Sequence, residues 1–416
     1  MRKIKKYLFL IIFTFAIIIR LLYVLAYPQM PLLNDPAGYD KTGWGLVNGK
    51  GFPVFTLDNE VIISRPPGYP LFLAAIYGAS GHNLTAVRMF QSLADALVCL
   101  MILYLGSSLF NAAVGYAGAV GYAFYFPPII FTGMLYTESL YTFIFGLSIL
   151  FLFLAVKSKR MKYWLACGVF LGLATLISTR SLYFIFFAAT AVFLNNRSLS
   201  GSLKRIAVIM LCMLILFAPW TARNYNKTGK FILLDNIGSS GSSLLWLATN
   251  PQGVIDWNMS VEPLKSRFAH LTEEERVKIF KKEGLSNLKQ YPFAYVRNSL
   301  KRFGLFWFSS FSYHIYGFEK SFSALWQERN FMFLLFKLFL FGLNALFVIL
   351  GFFGIWASRR IWKRAHFIIL APVIYFTLID TFYVVTPRHQ VPIIPFVMIF
   401  AGVGIISILK PEKMNA

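Results

Sequence analysis

The chain has 416 residues and a formal net charge of +23, and 57% of its residues are hydrophobic while only 14% are charged. Apolar runs of about 17 to 25 residues recur along it, each long enough to cross about 30 Å of hydrocarbon as a helix. This composition excludes a soluble globular domain and predicts an all-α, polytopic integral membrane protein. The positive charge collects at the ends of the apolar runs, so we expect membrane lipids and no nucleic acid as partners.

The first apolar run follows a basic leader at residues 2–6 and extends from about Tyr7 to Tyr27. It lacks a small-residue cleavage site before Pro28, so we interpret it as a retained signal-anchor helix. Further candidate helices, which bring the total to about ten, lie at about 86–106, 111–133, 138–157, 163–179, 181–195, 205–221, 332–357, 365–385 and 391–409.

Alternation of these helices from a cytoplasmic N-terminus predicts which junctions face inward. Those junctions are short and basic, as the positive-inside rule requires, and lie at about 157–162, 197–205, 359–364 and 410–413. The outward side then carries two long segments, at about 28–85 and 222–331, and residues 332–416 supply the last helices. We predict one membrane domain over residues 1–416, with its function in the outward segments.

Neither outward segment resembles an independent domain. In the first, Pro66-Pro-Gly-Tyr-Pro70 precedes an apolar stretch to Ile76 that is too short to span and is expected to lie in the interface. In the second, Thr272-Glu-Glu-Glu275 predicts a helix start, and the amphipathic run continues to about Trp307 on the outer surface.

Candidate functional residues gather at the outward helix ends. Asp35 follows the first span, and the other members are Arg65, Glu138, Arg180, Arg223 and Arg388. Each arginine offers a planar fork of donors that fits phosphate oxygens, and a carboxylate can orient or deprotonate a hydroxyl. Taken singly, the acid could be a solvated loop residue and each arginine could reach lipid headgroups. Together they predict a site for a lipid-linked phosphosugar.

Other ionisable residues have more structural interpretations. Asp95 could join Arg88 and Gln91 in a buried polar network, and Arg20 could reach either the surface or the phosphate. Asp380 could pair with Arg388. His389 could serve as an acid or base, although a lone histidine beside a proline is more often a turn or packing residue. The three cysteines lie inside apolar runs without ligand spacing, so we expect no metal and no cofactor.

Several short segments, in this order and topology, give the chain a resemblance to a known family. They are Asp35 with Tyr39, Gly49-Lys-Gly-Phe52, Arg65-Pro-Pro-Gly-Tyr-Pro70, Thr137-Glu-Ser-Leu-Tyr141, Gly172-Leu-Ala-Thr-Leu176, Pro219-Trp-Thr-Ala-Arg-Asn224, Gly229-Lys-Phe231 and Arg388-His-Gln-Val-Pro392. The chain resembles the GT-C glycosyltransferases of the protein O-mannosyltransferase and lipid A aminoarabinose transferase type over nearly its whole length.

The resemblance implies transfer of a sugar from a polyprenyl-phosphate carrier to a glycolipid, cell-envelope glycan or protein. The reaction would take place on the extracytoplasmic face of a bacterial plasma membrane. Asp35 would be the catalytic aspartate, with Glu138 the next candidate, and Tyr39 and the four arginines would bind substrate. Arg65 stands where relatives often carry a lysine before two prolines. Pro36 and Gly38 depart from the family, where a second acid and, in the aminoarabinose transferases, an arginine are found.

The main alternative is a transporter or flippase of lipid-linked saccharides, and a further one is a membrane scaffold. Transporters commonly show paired half-repeats and helices broken near the midplane. Here the charges gather at one predicted face, which favours an enzyme.

Overall fold

The structure is a computed structural model that describes residues 2–26, 32–53, 55–57, 60–63, 65–196, 198–235, 237–251, 271–315, 318–383 and 385–410. In chain order its α-helices are α1 (Arg2–Ala26), α2 (Asn34–Val47), α3 (Gly68–Ser80), α4 (Leu84–Leu109), α5 (Ala112–Phe124), α6 (Phe126–Thr132), α7 (Glu138–Ser158), α8 (Met161–Ile177), α9 (Phe184–Asn195), α10 (Leu199–Thr228), α11 (Ile237–Thr249), α12 (Glu273–Gln290), α13 (Pro292–Trp307), α14 (Phe322–Gln327), α15 (Phe331–Ser358), α16 (Phe367–Phe382) and α17 (Ile394–Leu409). Short 3₁₀ helices cover Thr179–Ser181, Ser312–His314, Arg359–Ile361, Arg364–His366 and Pro387–Ile393.

The predicted apolar segments all coincide with helices. Seven helices in the described part of the chain are long and apolar enough to cross a membrane. An eighth span would combine α5 and α6, which are bent by 52° where Pro127 and Pro128 enter the second helix. The remaining two predicted segments correspond to the shorter apolar helices α8 and α9. The prediction of a helical, multi-pass membrane protein is confirmed.

The first outward segment contains a feature that the all-α prediction did not include. Strands β1 (Phe55–Leu57) and β2 (Glu60–Ile62) pair antiparallel, with Phe55 opposite Ile62. The hairpin is short, and it lies between the helices α2 and α3 in the chain.

Glycines bring the spans close together at the centre of the bundle. A Cβ atom added at Gly354 of α15 would lie 1.8 Å from the carbonyl oxygen of Phe400 in α17, and one at Gly402 would lie 2.6 Å from that of Val114 in α5. Small residues allow helix backbones to approach in this way in a membrane. The C-terminal helix α17 is therefore packed between α5 and α15, with nearly all of its residues buried.

The helix connections separate into two ends of the bundle. At one end, Arg364 donates to the carbonyl oxygen of Leu194 at 3.1 Å, and His366 bonds that of Leu109 at 3.0 Å. Arg364 belongs to one of the predicted inward junctions, at 359–364. At the other end, the connections before α2, α3, α7, α9 and α17 contact one another through the charged residues described below.

The second outward segment begins as predicted and then departs from the prediction. Thr272 and Glu275 form a reciprocal capping box at the start of α12. The run to Trp307 is two helices rather than one, because Pro292 starts a new helix after Tyr291. Arg302 of α13 is fully buried and donates to the carbonyl oxygens of Thr381 and Ala248 at 2.9 and 3.1 Å, which fastens this segment to α16 and α11.

Candidate active site

Asp35 lies at the centre of the charged cluster, in the first turn of α2. Its Oδ1 atom accepts a hydrogen bond from Nη2 of Arg65 at 2.8 Å, and its Oδ2 atom accepts one from Nη2 of Arg388 at 2.9 Å. Nη1 of Arg65 also donates to the backbone oxygen of Asp35 at 3.3 Å. The carboxylate is about one third exposed, at 36%. Two guanidinium groups from distant parts of the chain therefore hold one accessible carboxylate.

Local sequence determines how these groups reach each other. Asn34 takes a positive φ of 52°, which asparagine tolerates, and turns the chain into α2 just before Asp35. Gly38, one turn later, leaves room for the guanidinium of Arg65, since a Cβ atom there would lie 2.1 Å from Nη1 and Arg65 would have to move. Pro387 and Pro392 fix the 3₁₀ turn that carries Arg388.

A second carboxylate lies on the other side of Arg388. Oε1 of Glu138 is 3.5 Å from Nε of Arg388, and Glu138 is buried in the first turn of α7, where the positive end of the helix favours a carboxylate. The Arg388 guanidinium also stacks on Tyr136, as that of Arg65 does on Tyr39, each 4.6 Å from the ring centroid. Burial raises the pKa of Tyr39 and of Tyr136, so both phenols keep their protons at neutral pH.

The first of two cavities at this end, here the Glu138 cavity, has a volume of about 130 Å³. Its charged and polar lining comes from Glu138, Arg180, Arg388, His389, Thr179 and Tyr39. Arg180 forms an ion pair with Asp380, and Nδ1 of His389 is 2.7 Å from the other oxygen of that carboxylate. The predicted pairing of Asp380 with Arg388 is therefore wrong. Arg388 is occupied by Asp35 and Glu138, whereas Asp380 faces Arg180 from the end of α16.

The second cavity, here the Trp220 cavity, has a volume of about 350 Å³. Its lining includes Gly38, Thr42, Phe52, Ile63, Arg65, Trp220 and Arg223. Arg223 stacks on Trp220 at 4.8 Å and donates to the carbonyl oxygen of Phe52 at 3.1 Å and to Oδ1 of Asn224 at 3.2 Å. Its hydrogen-bond acceptors are neutral, and within the described residues Arg223 forms no ion pair.

The four predicted arginines are thus divided between two cavities. Arg65 and Arg223 line the Trp220 cavity, whereas Arg180 and Arg388 line the Glu138 cavity. Asp35 bonds one arginine of each pair and so connects the two. The sequence predicted a single cluster, because it gave the order of the helix ends and not the directions of their side chains.

The segment Pro219-Trp-Thr-Ala-Arg-Asn224 also holds the loop that follows α10. Trp220 donates from Nε1 to the carbonyl oxygen of Leu234 at 2.6 Å, and Asn224 donates from Nδ2 to that of Ile232 at 3.1 Å. This brings Asp235 within 3.3 Å of Oγ1 of Thr179, a residue of the Glu138 cavity. Burial raises the pKa of Asp235 to about 6. Asp235 belongs to no recognisable motif and was not among the predicted site residues.

No group of three or more His, Cys, Asp or Glu residues that could hold a metal ion occurs among the described residues. Among those residues, the chemistry of the site rests on carboxylates, guanidiniums, phenols and one imidazole.

Comparisons with known proteins identify the fold. Residues 64–222 match the family described as dolichyl-phosphate-mannose-protein mannosyltransferase. ArnT from Cupriavidus metallidurans, solved with undecaprenyl phosphate, superposes with a TM-score of 0.58 at 12% identity, over 98% of this chain and 61% of that one. The oligosaccharyltransferase of Archaeoglobus fulgidus in its apo form superposes with a TM-score of 0.59 at 13% identity, over 98% of this chain and 51% of that one. This chain has the GT-C glycosyltransferase fold.

The GT-C fold confirms the predicted resemblance. A second structure of the archaeal enzyme, AglB with an inhibitory peptide and a dolichol-phosphate, gives a TM-score of 0.57 at 14% identity, again over 98% of this chain and 51% of that one. The chain spans about half to three fifths of the length of these GT-C structures. No curated protein sequence matches the chain significantly.

Proposed function

We propose that the protein is a glycosyltransferase that moves a hexosyl or pentosyl group from a polyprenyl monophosphate to an acceptor. The acceptor is a glycolipid, a cell-envelope glycan or a protein on the extracytoplasmic face of a bacterial plasma membrane. The observation that carries the proposal is the position of Asp35, a part-exposed carboxylate bonded to one arginine of each of two neighbouring cavities.

The Trp220 cavity suits the carrier phosphate. Within the described residues Arg223 bonds neutral acceptors, so a phosphate there would gain a full charge-assisted bond, and Arg65 offers a second guanidinium in the same cavity. Phe52, Ile63 and Trp220 give the lining an apolar surface that a prenyl chain can contact. Two of the similar structures were solved with undecaprenyl phosphate and with a dolichol-phosphate, which supports the same ligand class here.

The Glu138 cavity suits the transferred sugar and the acceptor hydroxyl. Its charges are balanced within ion pairs, so it offers hydrogen-bonding groups without strong attraction for a phosphate. In the proposed reaction the acceptor oxygen attacks the anomeric carbon with inversion, and the bond to the phosphate oxygen breaks. The polyprenyl phosphate leaves with the electron pair, stabilised by Arg65 and Arg223. Asp35 orients or deprotonates the incoming hydroxyl.

A direct assay tests the proposal. The protein would be placed in liposomes with undecaprenyl monophosphates carrying mannose, glucose or an aminopentose, and with a glycolipid, glycan and protein extract from its source cells. We expect mass spectrometry to detect a labelled sugar on an acceptor and free undecaprenyl phosphate in equal amounts. Movement of intact donor across the bilayer without sugar loss would instead support the flippase alternative. The same instrument can then search the glycans of a deletion strain for a missing sugar.

Of the two arginines in the Trp220 cavity, Arg223 should contribute most to binding of the carrier phosphate, because it forms no ion pair within the described residues. We expect Arg223→Ala to weaken binding of a C20 polyprenyl phosphate in detergent by about 10- to 100-fold, the range for loss of a charge-assisted hydrogen bond. Arg223→Lys keeps the charge but loses the fork, so its effect should be smaller. Quenching of tryptophan fluorescence can report binding, since Trp220 lies against this arginine.

Arg359 provides a matched control at the opposite end of the bundle. Its guanidinium also stacks on a tryptophan, Trp356, at 3.8 Å, but it lines neither cavity. Arg359→Ala should leave polyprenyl phosphate binding unchanged. Equal losses for both alanine variants, or none for Arg223→Ala, would remove the carrier from the Trp220 cavity.

The orientation proposed for the chain can be tested separately. Single cysteines replacing Lys50 or Lys289 should react with a membrane-impermeant maleimide in intact cells, because both lie in the outward segments. Cysteines replacing Lys159 or Arg360 should react only after permeabilisation, because the basic junctions are retained inside. Reaction of the second pair in intact cells would place the cavities on the cytoplasmic face and contradict extracytoplasmic transfer.

A further inference from the structure

A histidine–carboxylate pair forms one wall of the Glu138 cavity. Nδ1 of His389 lies 2.7 Å from Oδ1 of Asp380, whose other oxygen pairs with Arg180. The Asp380 side chain is 2% exposed, whereas that of His389 is 23% exposed and lines the cavity. Two contacts thus fix the carboxylate, and the carboxylate in turn fixes the imidazole ring.

The contact determines which ring nitrogen faces the cavity as an acceptor. An ionised carboxylate only accepts hydrogen bonds, so Nδ1 of a neutral His389 carries the proton and Nε2 carries a lone pair. No hydrogen bond involves Nε2 within the described residues, and the atom is not sealed from solvent.

The other candidate bases at this site are already engaged. Both oxygens of Asp35 accept from guanidinium groups, and Glu138 is buried against Arg388 and accepts from Oγ1 of Thr137 at 3.4 Å. Protonation of either carboxylate would remove the negative charge that its guanidinium partners stabilise. Protonation of His389 carries no such cost, because within the described residues its acceptor nitrogen has no hydrogen-bond partner and Asp380 stabilises the imidazolium.

We propose that His389 is a further catalytic residue, the general base that takes the proton of the acceptor hydroxyl, with Asp380 as its positioning residue. This inference rests on the proposed function and deepens it. As the acceptor oxygen bonds to the anomeric carbon, its proton moves to Nε2 of His389. The phosphate leaves with the electrons of its bond to that carbon, and the imidazolium is stabilised by Asp380 until it returns the proton to water. Asp35 then orients the hydroxyl and keeps its two arginines.

A pH profile follows from this assignment. A general base must be neutral, so transfer should decline as the pH falls and His389 becomes protonated. The charged and titratable groups around its ring are Asp380 and Arg180, the adjacent Arg388, and Glu138, Asp35 and His314 beyond it. Burial and the nearby Arg388 and His389 lower the pKa of His314 to about 3, so His314 would not titrate in the working range.

The discriminating variant is His389→Asn, whose side-chain amide can replace the Nδ1 donor to Asp380 but offers no base in place of Nε2. We expect its transfer rate at saturating donor to fall about 100-fold. The decline of the rate at low pH, here called the acid limb, should be lost, and binding of the C20 polyprenyl phosphate should be unchanged. Asp380→Asn keeps an acceptor for Nδ1 but removes the charge that stabilises the imidazolium. Its acid limb should move by about one pH unit to lower pH.

A second histidine–aspartate pair supplies the control. Nε2 of His82 lies 2.7 Å from Oδ1 of Asp40, and His82 lines neither cavity. His82→Gln should transfer at the wild-type rate with the wild-type pH profile.

Wild-type-like transfer by His389→Asn would overturn the inference and leave the histidine a purely structural role. The inference would also be overturned if His389→Asn and Asp380→Asn both lost rate but kept the acid limb of the wild-type protein. If the wild-type protein transfers sugar, the His389 and Asp380 variants fail as described and His82→Gln does not, both proposals stand. If it transfers none from any donor, the proposed function itself fails.

Discussion

Replacing Asp35 by asparagine should lower the transfer rate by roughly 100-fold or more while leaving expression near normal. The amide keeps the size of the side chain and one oxygen acceptor, but it loses the charge that holds Arg65 and Arg388 on its two oxygens. Misplacement of reacting groups by about 1 Å, or loss of an acid–base group, each reduces rates on this scale. The measurement is the rate in liposomes at saturating polyprenyl-phosphate-sugar.

Asp40 is the matched control for this variant, because it lies on the same helix, α2. Its Oδ1 atom accepts from Tyr77 at 2.6 Å and contacts His82, and it lines neither cavity. Asp40→Asn should therefore transfer at close to the wild-type rate. Full activity in Asp35→Asn would remove Asp35 from the reaction and make Glu138 the next carboxylate to test. A persistent acid limb in the residual activity of Asp35→Asn would agree with His389 as the base.

The spans and their approximate order could be predicted from the sequence because a membrane helix is a local feature. About 20 apolar residues in a row determine it, and basic flanks at the ends of these runs predict its direction. The capping box at Thr272 was equally local and was confirmed. The interruption at Pro292 could also have been read from the sequence, because proline commonly starts a helix and rarely continues one.

The pairings at the site could not be predicted in the same way. Asp35 and Arg388 are 353 residues apart, and their contact depends on how α17 packs between α5 and α15. Proximity in sequence instead suggested an ion pair between Asp380 and Arg388, which are eight positions apart. In the structure Asp380 pairs with Arg180, and Arg388 pairs with Asp35 and Glu138. The division of the arginines into two cavities has the same origin, since membership of a helix end does not give a side chain's direction.

The sequence left open whether Arg20 reaches the surface or the carrier phosphate, and only the packing of the helices decides its role. It is fully buried in α1 and forms an ion pair with Asp95 of α4, which is also fully buried and accepts from Tyr122 at 2.6 Å. Arg20 also donates to the backbone oxygens of Ala16 and Ala123 at 3.0 and 3.2 Å. Arg20 therefore stabilises the packing of α1 against α4 and does not reach the carrier phosphate.

Removing one member of this pair should be the most destabilising single change considered. Arg20→Met would leave Asp95 as an uncompensated buried charge and should lower the free energy of unfolding by about 3–5 kcal/mol, and Asp95→Leu should act similarly. The double variant removes both charges and should recover most of the loss, because an apolar pair of similar volume can replace a buried ion pair.

Unfolding midpoints in detergent at one heating rate would measure these differences in stability, and the exposed Arg360→Met is the control, with an expected change near zero. A double variant less stable than either single variant would contradict the pairing. An Arg20→Met protein of normal stability that no longer bound polyprenyl phosphate would return Arg20 to the substrate site.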